Sequence, residues 1–259
     1  MGLEEREDES GTWLRIYAPL ARGEAVAAAL RARAGPGVRV AGPEPVARED
    51  WSETWKAGLT PIEVSPRLRI RPSFAPAAAG GAAELVIDPG QAFGTGSHAS
   101  TALALAWIDL LAPGLAPGAR ILDVGCGTGV LALAALALSR ATRAVALDLD
   151  PLAAEACRAN ARRNALAARL DVLQGPLEAL RAEPFALVAA NLLRTELLPV
   201  LLPLARSVAP DGRAVLSGLL EGERDEVLRA LARVGLRAHG ERIAVDPGGE
   251  RWIALLTGR

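Results

Sequence analysis

The 259-residue sequence predicts an α/β chain, a doubly wound and mainly parallel sheet with a small α+β unit ahead of it. Three observations predict it. From Ala119 onward, short apolar runs alternate with segments of helical period. A glycine-rich turn, "GCGTG", joins the first of these strands to its helix. The chain then closes on two strands separated by "DPGG", a hairpin signal that brings an antiparallel edge.

Taken in order, "TWLRIYAP" (Thr12–Pro19) reads as a strand, "RGEAVAAALRARAG" (Arg22–Gly35) as a helix closed by glycine, and "GVRVAG" (Gly37–Gly42) as another strand. That β-α-β unit is too small to bury a core alone. "EDWSETWKAG" (Glu49–Gly58) is a short helix with Trp51 and Trp55 on one face, placed to pack against the next domain. "PAAAGGAA" (Pro76–Ala83) is a turn or short linker. The alternation then runs through the strand "ARILDVG", a helix from about Gly129 to Ser139, the strand "RAVALDLD", and the helix "PLAAEACRANARRNAL" opened by Pro151. "ARLDVLQG" and "PFALVAANLL" are strands. "TELLPVLLPLARSV" is helical, with Pro199 and Pro203 expected to end or kink it. "GRAVLSGLL" and "GERDEVLRALARVG" are the fifth strand and helix, before the hairpin "LRAHGERIAV" and "ERWIALLTG".

Composition narrows the class. A formal charge of −1 makes no electrostatic case for a nucleic-acid footprint. Two cysteines, Cys126 and Cys157, form no CxxC and no disulfide framework, which suits a reducing compartment. The acidic start "MGLEEREDES" has no apolar segment of a signal peptide. The longest apolar run, Val130 to Leu138, is far short of a membrane span and reads as a buried helix. A soluble, cytoplasmic protein is expected.

Ligands of doubly wound sheets bind outside the carboxyl ends of the strands, at the switch point, and "LDVGCGTG" sits there. Gly125, Gly127 and Gly129 are spaced GxGxG. The nicotinamide fingerprint GxGxxG would put its third glycine at Val130, which disfavours a dehydrogenase. The helix N-terminus still favours an anion, and the carboxylate of an amino-acid-like ligand serves as well as a pyrophosphate. Asp148 ends the next strand, where a carboxylate can accept hydrogen bonds from both hydroxyls of a ribose. Helix capping is the competing reading, and it suits Asp150 better. Adenosine with an amino-acid tail, S-adenosyl-L-methionine, fits both features. Asn191 ends the fourth strand, and its amide can accept and donate, to hold the cofactor or orient an incoming amine. An asparagine in a strand-end turn is the plain alternative. "ANLLR" lacks the prolines and aromatic of an Asn-Pro-Pro-Tyr motif, which disfavours methylation of glutamine or adenine.

"DPGQAFGTGSHAST", "ILDVGCGTGVLALAA", "ALDLDPLAAEACRANARRN", "VAANLL" and "LSGLL", in this order, resemble the PrmA-type methyltransferases of ribosomal protein L-eleven. "EDWSETWKAGLTPIEV" resembles that family's linker helix, so the likeness runs from about Trp51 to the C-terminus. The resemblance implies a seven-stranded, Rossmann-like class I methyltransferase sheet over residues 67–259, a linker over 49–66, and a shortened substrate-recognition domain over 1–48. The family's β-α-β-β-α-β domain would here begin at its second strand, "GLEERED". Either the start is misassigned, the sheet is shorter, or a partner completes it. Thr101, Gly125, Gly127, Asp148 and Asn191 are the implied cofactor contacts, with "AFGTGSHAST" folding over the same pocket. Ser100-Thr101 stands where a Thr-Thr pair is usual and keeps both hydroxyls. His98 matches the family's histidine and reads as a ring fixing the loop or as a catalytic group; His239 reads as surface. Asn160 and Asn164 share a helix face and match the family; their residue types alone suggest capping or packing. Cys126 reads as a small filler.

The implied activity is S-adenosylmethionine-dependent N-methylation of lysine and/or N-terminal amines in a ribosomal protein, by a monomer that touches neither nucleic acid nor membrane. Alignment alone can supply about 7–11 kcal/mol. Keeping a lysine neutral at pH 7 costs about 4.6 kcal/mol, an α-amine about 1.4. A desolvating pocket beside a cation lowers either, so no dedicated base is demanded and none is identified. No metal cluster is expected, since the two histidines lie far apart. The alternatives are a class I methyltransferase of another protein or a small molecule, and a non-catalytic cofactor-binding module.

Overall fold

The computed structural model describes residues 2–8, 11–17, 20–44, 60–78, 80–88, 98–139, 142–180 and 183–259. The chain divides into two compact units, Met1–Gly58 and Leu59–Arg259. In the first, β1 (Gly2–Asp8) and β2 (Gly11–Tyr17) form an antiparallel hairpin, followed by α1 (Gly23–Arg31). The strand expected over Gly37–Gly42 does not form. Gly37 takes φ 92° and Val38 N donates to Gly35 O at 3.2 Å, so the segment begins in a turn, and it pairs with no strand among the described residues, while β1 and β2 pair with each other from Gly2↔Tyr17 to Asp8↔Gly11. The result is a hairpin and helix in place of β-α-β. The Trp51–Trp55 helix lies outside the described residues.

The second unit opens with a small sheet that the sequence reading did not contain. Its strands are β3 (Ile62–Ser65), β4 (Leu68–Arg71) and β5 (Ala83–Val86), with β4 antiparallel to β3 and parallel to β5. β3 falls within the stretch expected to be a connection. Next comes α2 (Ala99–Leu111), also unforeseen because its apolar residues run all round instead of along one stripe. The expected alternation then appears as β6 (Arg120–Val124), α3 (Val130–Leu138), β7 (Arg143–Asp148), α4 (Pro151–Arg163), β8 (Leu170–Gln174) and β9 (Phe185–Asn191). It continues with α5 (Arg194–Ser207), β10 (Val208–Leu220), α6 (Arg224–Arg233), β11 (Arg237–Val245) and β12 (Arg251–Gly258).

Seven strands form one sheet in the order β11-β12-β10-β9-β6-β7-β8, with β12 antiparallel to both neighbours. From β6 the chain winds outward through β7 and β8, then returns to β9 on β6's other side. The switch point therefore lies between β6 and β9. Side chains alternate across these central strands. Ile121, Leu187 and Ala189 enter one core with Leu103, Leu105, Leu133 and Leu136 of α2 and α3, while Leu122, Val124, Val188 and Ala190 enter another with Leu197, Leu201, Val227 and Leu231 of α5 and α6. Among the described residues no helix is long and apolar enough to cross a membrane.

α5 runs unbroken through Pro199 and Pro203, contrary to expectation. The carbonyls that lose their amide partners belong to Thr195 and Pro199, both exposed, so water can satisfy them. Leu197, Leu201 and Leu204 hold the other face in the core.

β10 carries an irregularity between Leu216 and Leu219, where Gly218 adopts φ 84°. A Cβ there would stand 2.5–2.8 Å from the backbone of Leu192, just past the end of β9. Strain and clash act together, so Gly218→Ala should lower stability by about 2–4 kcal/mol. Urea denaturation checks this, and a loss below about 1 kcal/mol would contradict the account.

Candidate functional site

The turn from β6 into α3 crowds three left-handed residues into five positions: Gly125, Gly127 and Gly129 have φ of 68°, 52° and 79°. Such angles are costly for any residue with a Cβ. Space is also short, because a Cβ on Gly125 would run into the Leu192 side chain and one on Gly129 into the Cys157 sulfur. The Gly125 and Cys126 amides donate to Leu147 O at 2.9 and 3.0 Å, and Gly129 N to Cys126 O at 2.7 Å, which closes the turn.

Asp148 stands at the end of β7, beside this turn. Its Oδ2 accepts from Gly127 N at 2.9 Å and its Oδ1 from Asp150 N at 3.0 Å. Two backbone donors orient the carboxylate, and each oxygen keeps a further lone-pair direction for a ligand hydroxyl. Asp150 is the N-cap of α4, accepting from Leu152 N at 2.8 Å. Asp150 thus takes the capping role that the sequence left open between the two acids.

Asn191, at the end of β9, donates from Nδ2 to Thr101 Oγ1 at 3.1 Å. Thr101 lies in the first turn of α2 and is fully buried. Ser217 of β10 donates from its hydroxyl to Ser100 O at 2.8 Å, so α2's first turn is tied to the carboxyl ends of both β9 and β10. Asn191 Oδ1 is buried and has no hydrogen-bond partner among the described residues. His98 is the N-cap of α2. Its Nδ1 accepts from Ser100 N at 3.3 Å and lies 2.8 Å from Ser100 Oγ, and its ring meets Trp252 edge-on at 4.6 Å. These contacts fit the loop-fixing reading. Residues 92–97 of "AFGTGSHAST" lie outside the described residues. His239 is exposed. Cys126 is buried, and the neighbouring Cys157 thiol together with burial pushes its thiol well above the ordinary range, so it stays protonated. That suits a filler.

The sequence reading missed Asp123. It lies within β6, 1% exposed, and its Oδ2 accepts from Ala132 N in the first turn of α3 at 3.0 Å. Oδ1 has no partner among the described residues. Burial pushes the carboxyl up to about 7, the Ala132 amide works against it, and the charge on Asp148 adds to the rise. An acid between the apolar residues Leu122 and Val124 of a buried strand was the available signal, since a buried polar residue is the informative kind. Thr101, Gly125, Gly127, Asp148 and Asn191 all gather at the carboxyl ends of β6, β7 and β9, around the switch point, as such a sheet requires.

Asp123 carries a pH signature. With its carboxyl near 7 when folded and near 3.8 when unfolded, the native state binds the extra proton between those values. Its contribution is most favourable below pH 4, falls as pH rises and levels off above 7. Relative to wild type, Asp123→Asn should gain about 4 kcal/mol between pH 4 and 8. Urea midpoints across that range test it; a pH-independent difference would contradict it.

The family model described as ribosomal protein L11 methyltransferase (PrmA) matches residues 23–253. The ribosomal protein L11 methyltransferase of Chromohalobacter salexigens is 42% identical over 193 residues, 74% of this chain and 63% of that protein. Its counterpart in Symbiobacterium thermophilum is 36% identical over 215 residues, 82% of this chain and 66% of that protein. The chain thus spans less than two thirds of the length of these curated relatives. The crystal structure of a ribosomal protein L11 methylase from Lactobacillus delbrueckii subsp. bulgaricus superposes with a TM-score of 0.67 at 28% identity, covering 77% of this chain and 98% of that one. The seven-stranded sheet with its closing antiparallel hairpin is the class I methyltransferase fold. The chain belongs to the ribosomal protein L11 methyltransferase (PrmA) family.

Proposed function

We propose that this protein is an S-adenosylmethionine-dependent N-methyltransferase of protein amines, lysine and/or N-terminal, and that its substrate is a ribosomal protein of the L11 type. The observation that carries the reading is the meeting, at one switch point, of a glycine-rich turn, an oriented carboxylate and a buried amide acceptor with no partner among the described residues. The cradle fits an adenosine with an amino-acid tail. Gly125 and Gly127 bring bare backbone to the tail, and Asp148 accepts the ribose hydroxyls. Leu149, 70% exposed directly after Asp148, offers an apolar surface to the adenine. When bound, the cofactor supplies a methyl group already activated by its sulfonium.

The chain's own residues then have to position a nitrogen. Thr101 fixes the amide of Asn191 by taking one of its N–H groups, which leaves Oδ1 to accept an N–H of the incoming amine and orient its lone pair. Apolar neighbours such as Leu192 and Leu193 desolvate the amine and lower its pKa, so its proton passes to water before transfer. Alignment of this kind supplies about 7–11 kcal/mol in favourable cases. We take the protein to act in the cytoplasm as a monomer without direct contact to nucleic acid; its net charge of −1 supports the last point.

Incubation with methyl-labelled donor and a set of purified ribosomal proteins should label one protein, of the L11 type. Label on a different protein or on a small amine instead would replace the substrate, and no label at all would remove the activity. Asp148→Ala removes two charge-assisted hydrogen bonds, about 3 kcal/mol together, and should weaken donor binding on the order of 100-fold. Calorimetry with S-adenosylmethionine measures it; unchanged affinity would move the cofactor elsewhere.

A further inference from the structure

Asn160 in α4 and Asn164, the C-cap of that helix, pair with the backbone of the small sheet. Asn164 Oδ1 accepts from Val86 N and its Nδ2 donates to Val86 O, both at 2.8 Å. Asn160 Oδ1 accepts from Asp88 N at 3.1 Å and its Nδ2 donates to Asp88 O at 3.0 Å. β5 is an edge strand, and the two amides supply the outer rungs that a neighbouring strand would supply. The spacings agree. One helical turn advances about 6 Å over four residues, and alternate strand residues stand about 6.6 Å apart.

The two asparagines differ in one respect. Asn164 uses its remaining N–H on Asn160 O, within its own helix, at 2.8 Å. Asn160 instead donates to Thr128 O at 3.0 Å, inside the glycine turn between Gly127 and Gly129. It is fully buried, and its Oδ1 also receives Arg163 Nη1 at 3.3 Å, so both N–H groups and the carbonyl are engaged. A single rigid amide thus bridges the turn read as the cofactor cradle and the end of β5. Asp88 is held there by Ser73 N at 2.8 Å and by Arg163 at 3.3 Å.

We propose that Asn160 is a positioning residue for the methyl donor, coupling the glycine turn to the β5 edge, while Asn164 is its structural twin without that coupling. The proposal rests on the cofactor reading given above. It makes the coupling reciprocal: donor bound on the turn must tighten the Asp88 rung, and loss of the rung must weaken donor binding.

Two measurements decide it. Calorimetry with S-adenosylmethionine compares wild type, Asn160→Ala and Asn164→Ala, with thermal denaturation recording how much stability each variant loses. Asn160→Ala should weaken binding about tenfold, a loss seen in the donor KM ahead of kcat, and Asn164→Ala less than about threefold for a similar fall in Tm. Equal losses in both variants would reduce Asn160 to a packing residue and overturn the proposal. The second measurement needs no variant. Amide exchange of wild type with and without S-adenosylhomocysteine should slow at Asp88 by at least about threefold and less at Val86, which Asn164 holds, and an unchanged rate at Asp88 would overturn the coupling even if the ligand binds. Wild type that takes up neither ligand would overturn the cofactor reading itself, a result distinct from either of the others.

Discussion

The turn between β6 and α3 must pass from the last strand residue, Val124, to a helix at Val130 while its amides find partners in Leu147 O, Asp148 and Cys126 O. Three left-handed residues achieve this, and the space that side chains would need is already filled by Leu192 from the end of β9 and Cys157 from α4. That exclusion sets the neighbours as much as the turn. Leu192 follows Asn191 directly, and Cys157 sits one helical turn before Asn160 and Ala161. The end of β9, the middle of α4 and the glycine turn are therefore packed as one body, and the remaining polar groups of the site are referenced to it.

Carboxylates complete that body from both sides. Asp148 takes the Gly127 amide and Asp123 the Ala132 amide, so two acids satisfy donors that a short turn and a helix start leave without backbone partners. Their environments differ. Asp148 is half-buried at the end of its strand, whereas Asp123 is enclosed and its charged form is disfavoured by burial. The same logic of backbone satisfaction by side chains explains Asn160 and Asn164. An edge strand against a helix has N–H and C=O groups that no ladder meets, and two amides one turn apart meet them.

Much of the architecture was readable because it is periodic. Apolar alternation with helical segments located all seven strands of the large sheet, and "DPGG" located the closing hairpin. The candidate site residues were readable because glycine, aspartate and asparagine at strand ends are unusual in an apolar chain, and resemblance added Thr101. Three features were not readable. Gly37–Gly42 has strand-like residues but begins in a turn and pairs with no strand among the described residues; β3 to β5 are four-residue strands without a strong pattern; and α2 is apolar on every side, so no stripe announces it. The prolines of α5 misled for a related reason. Their cost depends on whether the orphaned carbonyls reach water, which is a property of the packed helix.

By itself the sequence determined the fold class, the order of the large sheet's strands along the chain, and the position of the glycine turn, since these follow from local period and from residues that only certain backbone angles allow. Tertiary structure decided the partners: which acid is enclosed and which is open, that Thr101 meets Asn191 across 90 residues, and that Asn160 reaches both Thr128 and Asp88. Those contacts join segments distant in the chain, and a hydrogen bond is specified by three-dimensional proximity and direction, which no local pattern encodes.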